Sequence, residues 1–200
     1  PLMLFSGYER RLQDVLEYYK RYFSAMQTLG ATVFVLHGNK GPIQTELYAE
    51  RFAMLAELGK TFGVVVAQEN VARCTSRSLD FLLQMQKLLG NDAKFVLDIK
   101  QAVRSNENPM QMLQKLGSHI VHVHLSDHGE YGDCLPVGTG RFDVRTFLQT
   151  LSTCSPDCSV ILELYRSSFN NVQDLVNNYL VIQHMLAPGS ANKTDSIPIR

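Results

Sequence analysis

Apolar and polar positions along the chain switch repeatedly between a helical and a strand-like period. From Tyr8 to Leu29 the apolar residues Leu12, Val15, Leu16, Tyr19, Phe23 and Met26 recur at helical spacing, and Gly30 supplies a stop. The β-branched and aromatic run that follows, "ATVFVLHGNKG", predicts a strand from Ala31 to about His37. The switch then repeats: helix from about Gln44 to Gly59, strand Gly63 to Glu69, helix Ser78 to Leu89, strand Phe95 to Asp98. It continues with helix Pro109 to Leu116, strand Ile120 to Leu125, a long loop, helix Val144 to Leu151, strand Val160 to Leu164 and helix Val172 to Leu186. The last stretch, "APGSANKTDSIPIR", has the composition of a frayed or docked tail. Strands alternating with helices of this length predict βα units around a parallel sheet, with one domain over residues 1–186 and a tail over 187–200.

The polar residues that close the five strands are His37, Glu69, Asp98, His124 and Glu163, and their mean separation is about 31.5 residues. An eight-unit (β/α) barrel of about 250 residues needs that length per unit, although a doubly wound sheet shares the period. Side chains alternate faces along a strand, so His122 and His124 share one face, and Val65, Ala67 and Glu69 another such set. The same parity groups Val96, Asp98 and Lys100, and then Ile161, Glu163 and Tyr165. Each strand therefore carries a polar group at its C-terminal end, where parallel α/β folds build their sites.

Composition narrows the function classes. Nineteen basic residues balance nineteen acidic ones, so no net positive field draws the chain to nucleic acid or to an anionic membrane. Apolar runs such as Val64 to Ala67 are far shorter than the ~20 residues of a membrane helix, and the opening "PLMLFSGYERRLQD" turns charged too soon for a signal peptide. Cys74, Cys134, Cys154 and Cys158 form no CxxC pair; they read as reduced thiols of a cytoplasmic protein, and Cys154 and Cys158 lie away from the strand ends.

Taken singly, Glu69, Asp98 or His124 has a structural reading as a helix cap, an ion-pair partner or a hydrogen-bonded core histidine. Together, two glutamates, an aspartate and a histidine make a hard O3N donor set suited to Mn2+, Mg2+, Co2+ or Zn2+. Lys100, on the parity of Asp98, could hold a phosphate or carboxylate or polarise a carbonyl; the alternative is a solvent-facing lysine or a salt bridge to the aspartate. Asn39 and Lys40, after His37, are further candidates for substrate contact, and "GNKG" lacks the spacing of a P-loop. The segment "VGTGRFD" reads as a Gly-rich turn with Asp143 capping the next helix.

The fragments "VFVLHG", "VVVAQEN", "FVLDIKQA", "VHVHLSD", "PVGTGRFD" and "VILELY" occur in an order that resembles the xylose isomerase-like barrels over roughly residues 10 to 185. The resemblance implies that Glu69, Asp98, His124 and Glu163 ligate a divalent metal and that His37 lines the pocket. It implies a sugar or sugar-phosphate isomerase or epimerase in which Glu69 and Glu163 move a proton α to a carbonyl through an enediolate. His122, Asn39, Lys100 and Gln101 are then candidates for substrate contact. Family members often have His where this chain has Gln101, and ketose epimerases have Arg where this chain has Glu130. These departures keep open an inosose-type dehydratase and a noncatalytic binding protein on the same scaffold. Endonuclease IV needs additional His and Asp ligands, one of which Gln101 replaces, and it is the least favoured alternative.

Five strands are visible where a full barrel has eight, so about three N-terminal βα units, on the order of 60 residues beyond the first helix, are missing from the pattern. A five-stranded arc has two unpaired edges. The expectation is a partial TIM-type barrel, either a piece of a longer chain or one completed by a homodimer, acting on a small-molecule sugar or sugar phosphate and engaging neither nucleic acid nor membrane.

Overall fold

Helix α1 (Glu9–Leu29) turns its apolar stripe inward, burying Leu12, Val15, Tyr19 and Phe23. Gly30 ends it in the left-handed conformation at φ 68°, and its N–H bonds back to the carbonyls of Gln27 and Met26. That geometry favours a residue without a Cβ. The computed structural model describes residues 3–187; the expected tail, beyond Ala187, lies outside them.

The chain then winds through strand β1 (Val33–Leu36), helix α2 (Thr45–Lys60), β2 (Val65–Glu69), α3 (Leu79–Leu89) and β3 (Phe95–Asp98). Helices α4 (Ile99–Arg104) and α5 (Pro109–Leu116) lead to β4 (Ile120–Leu125), the hairpin β5 (Asp127–Gly129) and β6 (Gly132–Leu135), α6 (Val144–Cys154), β7 (Ser159–Leu162) and α7 (Val172–Leu186). Five strands pair in parallel in the order β1-β2-β3-β4-β7, and the hairpin forms a separate two-stranded sheet. The expected five-stranded partial barrel is what the fold contains, with β1 and β7 as its edges.

The core lies between the sheet and its helices. Phe23 meets Phe34 edge-on at 5.4 Å between ring centres, and Phe52, Phe95 and Phe147 are fully buried. Burying a side chain of this size contributes on the order of 2–3 kcal/mol. Among the described residues no helix is long and apolar enough to cross a membrane.

Three local expectations need correction. Strand β3 stops at Asp98, and Ile99 begins a helix, so strand parity does not carry Lys100 to the lumen. The first turn of α4 does so instead. The long loop after β4 contains the β5–β6 hairpin. The last strand begins at Ser159 and ends at Leu162, although the Glu163 N–H still bonds to the Leu125 carbonyl and extends the pairing by one residue.

Candidate metal centre

Parallel register places the strand-end residues side by side. Val35 aligns with Ala67, Asp98 with His124, and His124 with Ile161. The side chains of Glu69, Asp98, His124 and Glu163 converge from β2, β3, β4 and the end of β7, each offering one ligand atom, all within 4.8 Å of one another. An ion with bonds of about 2.1 Å spaces its ligands by roughly 3 to 4.2 Å, so small side-chain adjustments close the set.

Glu69 Oε2, Asp98 Oδ2, His124 Nδ1 and Glu163 Oε2 are buried and make no hydrogen bond. His124 Nδ1 lies 2.8 Å from Glu163 Oε2, 3.3 Å from Glu69 Oε1 and 3.6 Å from Asp98 Oδ2, yet none of these contacts is aligned for donation. Buried polar groups are almost always hydrogen-bonded, and four that converge without bonding to one another fit a shared cation.

Hydrogen bonds to the backbone position Asp98 and Glu69. Asp98 uses Oδ1 to cap α4, accepting from the Gln101 N–H at 2.9 Å, which leaves Oδ2 for the centre. Asn70 binds the Asp98 backbone on both sides, accepting from its N–H at 2.8 Å and donating to its carbonyl at 3.0 Å. The β2–β3 ladder ends at Glu69 and Val96, so the Asn70 amide acts as the next rung. Beneath Glu69, Tyr48 donates to Gln68 Oε1 at 2.6 Å, while Gln68 and Ser76 both donate to the Glu69 carbonyl. Neither Asn70 nor this network was anticipated from the sequence; the signal available was polar residues, Gln68 and Asn70, interrupting an otherwise apolar strand end.

The remaining candidates occupy distinct positions. His37 is 73% exposed in its side chain and brings Nε2 to 3.1 Å from Glu69 Oε2, at the mouth of the centre. Asn39 turns to the Gly41 carbonyl, and Gln101 accepts from the Ala72 N–H, so both have local structural bonds. His122 lies one layer below His124, with Nδ1 2.6 Å from Ser159 Oγ and its ring perpendicular to that of His124. Burial and the neighbouring His124 lower the pKa of His122. Lys100 is buried, 2.9 Å from Glu163 Oε1 and 3.4 Å from Asp98 Oδ2, the salt-bridge arrangement that sequence left open.

Charge is concentrated here. Burial disfavours the His124 imidazolium, but the carboxylates of Asp98, Glu163 and Glu69 outweigh it and push its pKa up to about 11. Contact with His124 holds the Glu163 carboxyl well below the usual range; burial opposes this and Lys100 reinforces it. Burial works against the Lys100 ammonium too, and Asp98 and Glu163 more than compensate, raising its pKa.

Another buried carboxylate organises the loop after β4. Asp127, at the start of β5, accepts from the N–H groups of His128 and Phe142 on Oδ1 and of Gly138 and Gly140 on Oδ2, at 2.7 to 3.0 Å. It therefore gathers the "VGTGRF" loop onto the hairpin. A Cβ at Gly140 would fall 2.3 Å from Asp127 Oδ1, so the loop closes only around a glycine. The Gly-rich turn and the Asp143 cap, which accepts from the Thr146 N–H at 3.0 Å, are as the sequence indicates.

The sequence matches a known family over most of its length. The xylose isomerase-like TIM barrel model matches residues 4–182, and the chain belongs to that family. A curated relative, the uncharacterized protein ML2432 of Mycobacterium leprae (strain TN), is 26% identical over 78% of this chain, which spans 64% of that protein's length. Among solved structures, a D-tagatose 3-epimerase-like protein superposes with a TM-score of 0.73 at 21% identity, over 92% of this chain and 72% of its own. The IolI protein, solved with a bound zinc atom, gives a TM-score of 0.70 at 16% identity, over 88% of this chain and 72% of its own. Other solved structures of similar fold include further sugar epimerases and a probable 3-DHS dehydratase from Bacillus anthracis.

Proposed function

We propose that this chain carries the divalent-metal site of an isomerase or epimerase acting on a small sugar or sugar phosphate. The observation that carries the reading is the convergence of Glu69, Asp98, His124 and Glu163 on one volume with their facing atoms unbonded. Mn2+, Mg2+, Co2+ or Zn2+ fits this hard donor set, and a bound divalent ion would stabilise the negative oxygen that develops when a proton leaves the carbon next to a carbonyl. Glu69 and Glu163 approach from opposite ends of the arc and are assigned to take and return that proton. His37 at the mouth and His122 beneath His124 are assigned to orient the sugar hydroxyls, with Asn39 and Gln101 at the rim. Four unpaired thiols accord with a cytoplasmic location. The edges β1 and β7 are where further strands, from a longer chain or a second copy, would pair.

One observation favours a second reading. Glu163 is tied to Lys100 and to His124, which makes it a poor proton acceptor and leaves Glu69 as the freer carboxylate. A dehydratase needs one such base to start elimination. Metal analysis and Mn2+-dependent thermal stabilisation test the site itself, and absence of both sinks the reading. With metal bound, exchange of ketose α-protons into heavy water, followed by NMR, supports the isomerase; loss of water from the substrate supports the dehydratase. Binding without either reaction points to a noncatalytic role.

A further inference from the structure

The O3N set accounts for the three carboxylates and the histidine but not for Lys100. Its Nζ is buried among the ligands, 2.9 Å from Glu163 Oε1 and 3.4 Å from Asp98 Oδ2, and the Tyr165 ring lies 5.1 Å away on another side. A lysine serving only as a substrate hook would point to solvent; this one is 3% exposed and points at the ligands. The side chain reaches that position because Asp98 starts α4, which places Lys100 in the first helical turn.

The contacts divide the oxygens. Lys100 takes Oε1 of Glu163, while Oε2 faces His124 Nδ1. Asp98 Oδ2 lies between two positive or ligating groups, the ammonium at 3.4 Å and His124 Nδ1 at 3.6 Å. Three carboxylates and one ammonium leave the set with two negative charges, which a single divalent ion neutralises. Without the lysine the filled centre would stay anionic and would oppose a negative charge developing on a substrate oxygen.

We propose that Lys100 is a resident cation of the metal centre: it shares Asp98 and Glu163 with the divalent ion, confines Glu163 to one ligating oxygen, and weakens the ion's hold. The inference rests on the metal reading above. Repulsion between a fixed monocation and a divalent ion within a few ångström in a half-buried site is worth at least about tenfold in affinity. The ion is therefore held exchangeably, and Lys100 sets its affinity as a positioning residue.

The test is Mn2+ affinity measured by competition with a fluorescent chelator, on the wild-type chain, Lys100→Met and Lys100→Gln. Methionine keeps the volume without charge, and glutamine keeps a donor for Glu163; if Lys100→Met does not fold, Lys100→Gln decides. Both are expected to bind Mn2+ at least about tenfold tighter than wild type, with a larger rise in Tm on adding Mn2+. Affinities equal to wild type or weaker overturn the lysine proposal and leave the metal reading standing. Uptake by the variants alone supports the lysine's role and overturns metal dependence of the native chain. Uptake by none of the three overturns both.

Discussion

Glu69 and Glu163 stand at opposite ends of one arc of candidate metal ligands, but β2 has a neighbour on each side and β7 is an edge. The Glu69 side chain is 4% exposed and that of Glu163 is 40% exposed. Behind Glu69 stand neutral, backbone-directed hydrogen bonds from Gln68 and Ser76, with Asn70 bolting the next strand alongside. Behind Glu163 the backbone is held by its own N–H on the Leu125 carbonyl and by a Cys134 thiol donating to its carbonyl at 3.3 Å, and the carboxylate itself is steadied by the Lys100 ammonium. One end is preorganised by a network of neutral hydrogen bonds, the other by charge. Neutral networks fix a position, whereas an ion pair can re-form around an arriving ion.

The contrast can be broken experimentally, starting with the largest effect. Glu69→Gln should slow α-proton exchange by about 10^2 to 10^4-fold while Tm changes little, because the amide keeps the shape of the carboxylate; a comparable loss of stability would show that Glu69 is structural. Asn70→Ala should cost about 1–3 kcal/mol in urea unfolding of the metal-free chain, since it leaves the Asp98 N–H buried without its partner, and should weaken Mn2+ binding about 10- to 100-fold. At the edge, Cys134→Ala should cost only about 1 kcal/mol, because it removes a weak donor and little volume. If the two costs came out alike, the distinction between the ends would fail.

Proton release sharpens the comparison. With its pKa pushed up to about 11 by the surrounding carboxylates, His124 carries a proton at neutral pH that a metal would have to displace to reach Nδ1. Mn2+ uptake at neutral pH should therefore release close to one proton, and affinity should rise with pH, by up to about tenfold per unit, until His124 is deprotonated in the free state. Calorimetry in buffers of different ionisation enthalpy measures the release. No release would mean that His124 is neutral before the ion arrives.

The helix and strand alternation was legible because each apolar face is long enough to show its period, and β3 and β4 begin and end where the pattern places them. The strand-end polar residues were legible too, since a charge closing a buried strand stands out. Helix α4 was not: six residues are too few to display a helical period. The D-x-x-Q spacing of Asp98 and Gln101 marked its start, although Gln101 turned to Ala72 instead of closing a capping box. The only sign of the hairpin in the sequence is Gly129 and Gly132 flanking Glu130 and Tyr131, a signal too short to stand out within a long loop. Asn70 and Asp127 were illegible because their partners are backbone groups brought near only by folding. Lys100 reached the centre for a reason other than strand parity, since the helix turn substitutes for the strand step.

Asp98 divides its carboxylate, with one oxygen on the Gln101 amide and the other on the ligand set. The first turn of α4 and the candidate centre therefore share a single side chain, so fraying of that turn and release of an ion would go together as motions of one joint. The Gln101 amide becomes a natural reporter: its hydrogen-exchange rate should fall when the centre is filled, reading out the ion from the backbone at an atom that never touches it.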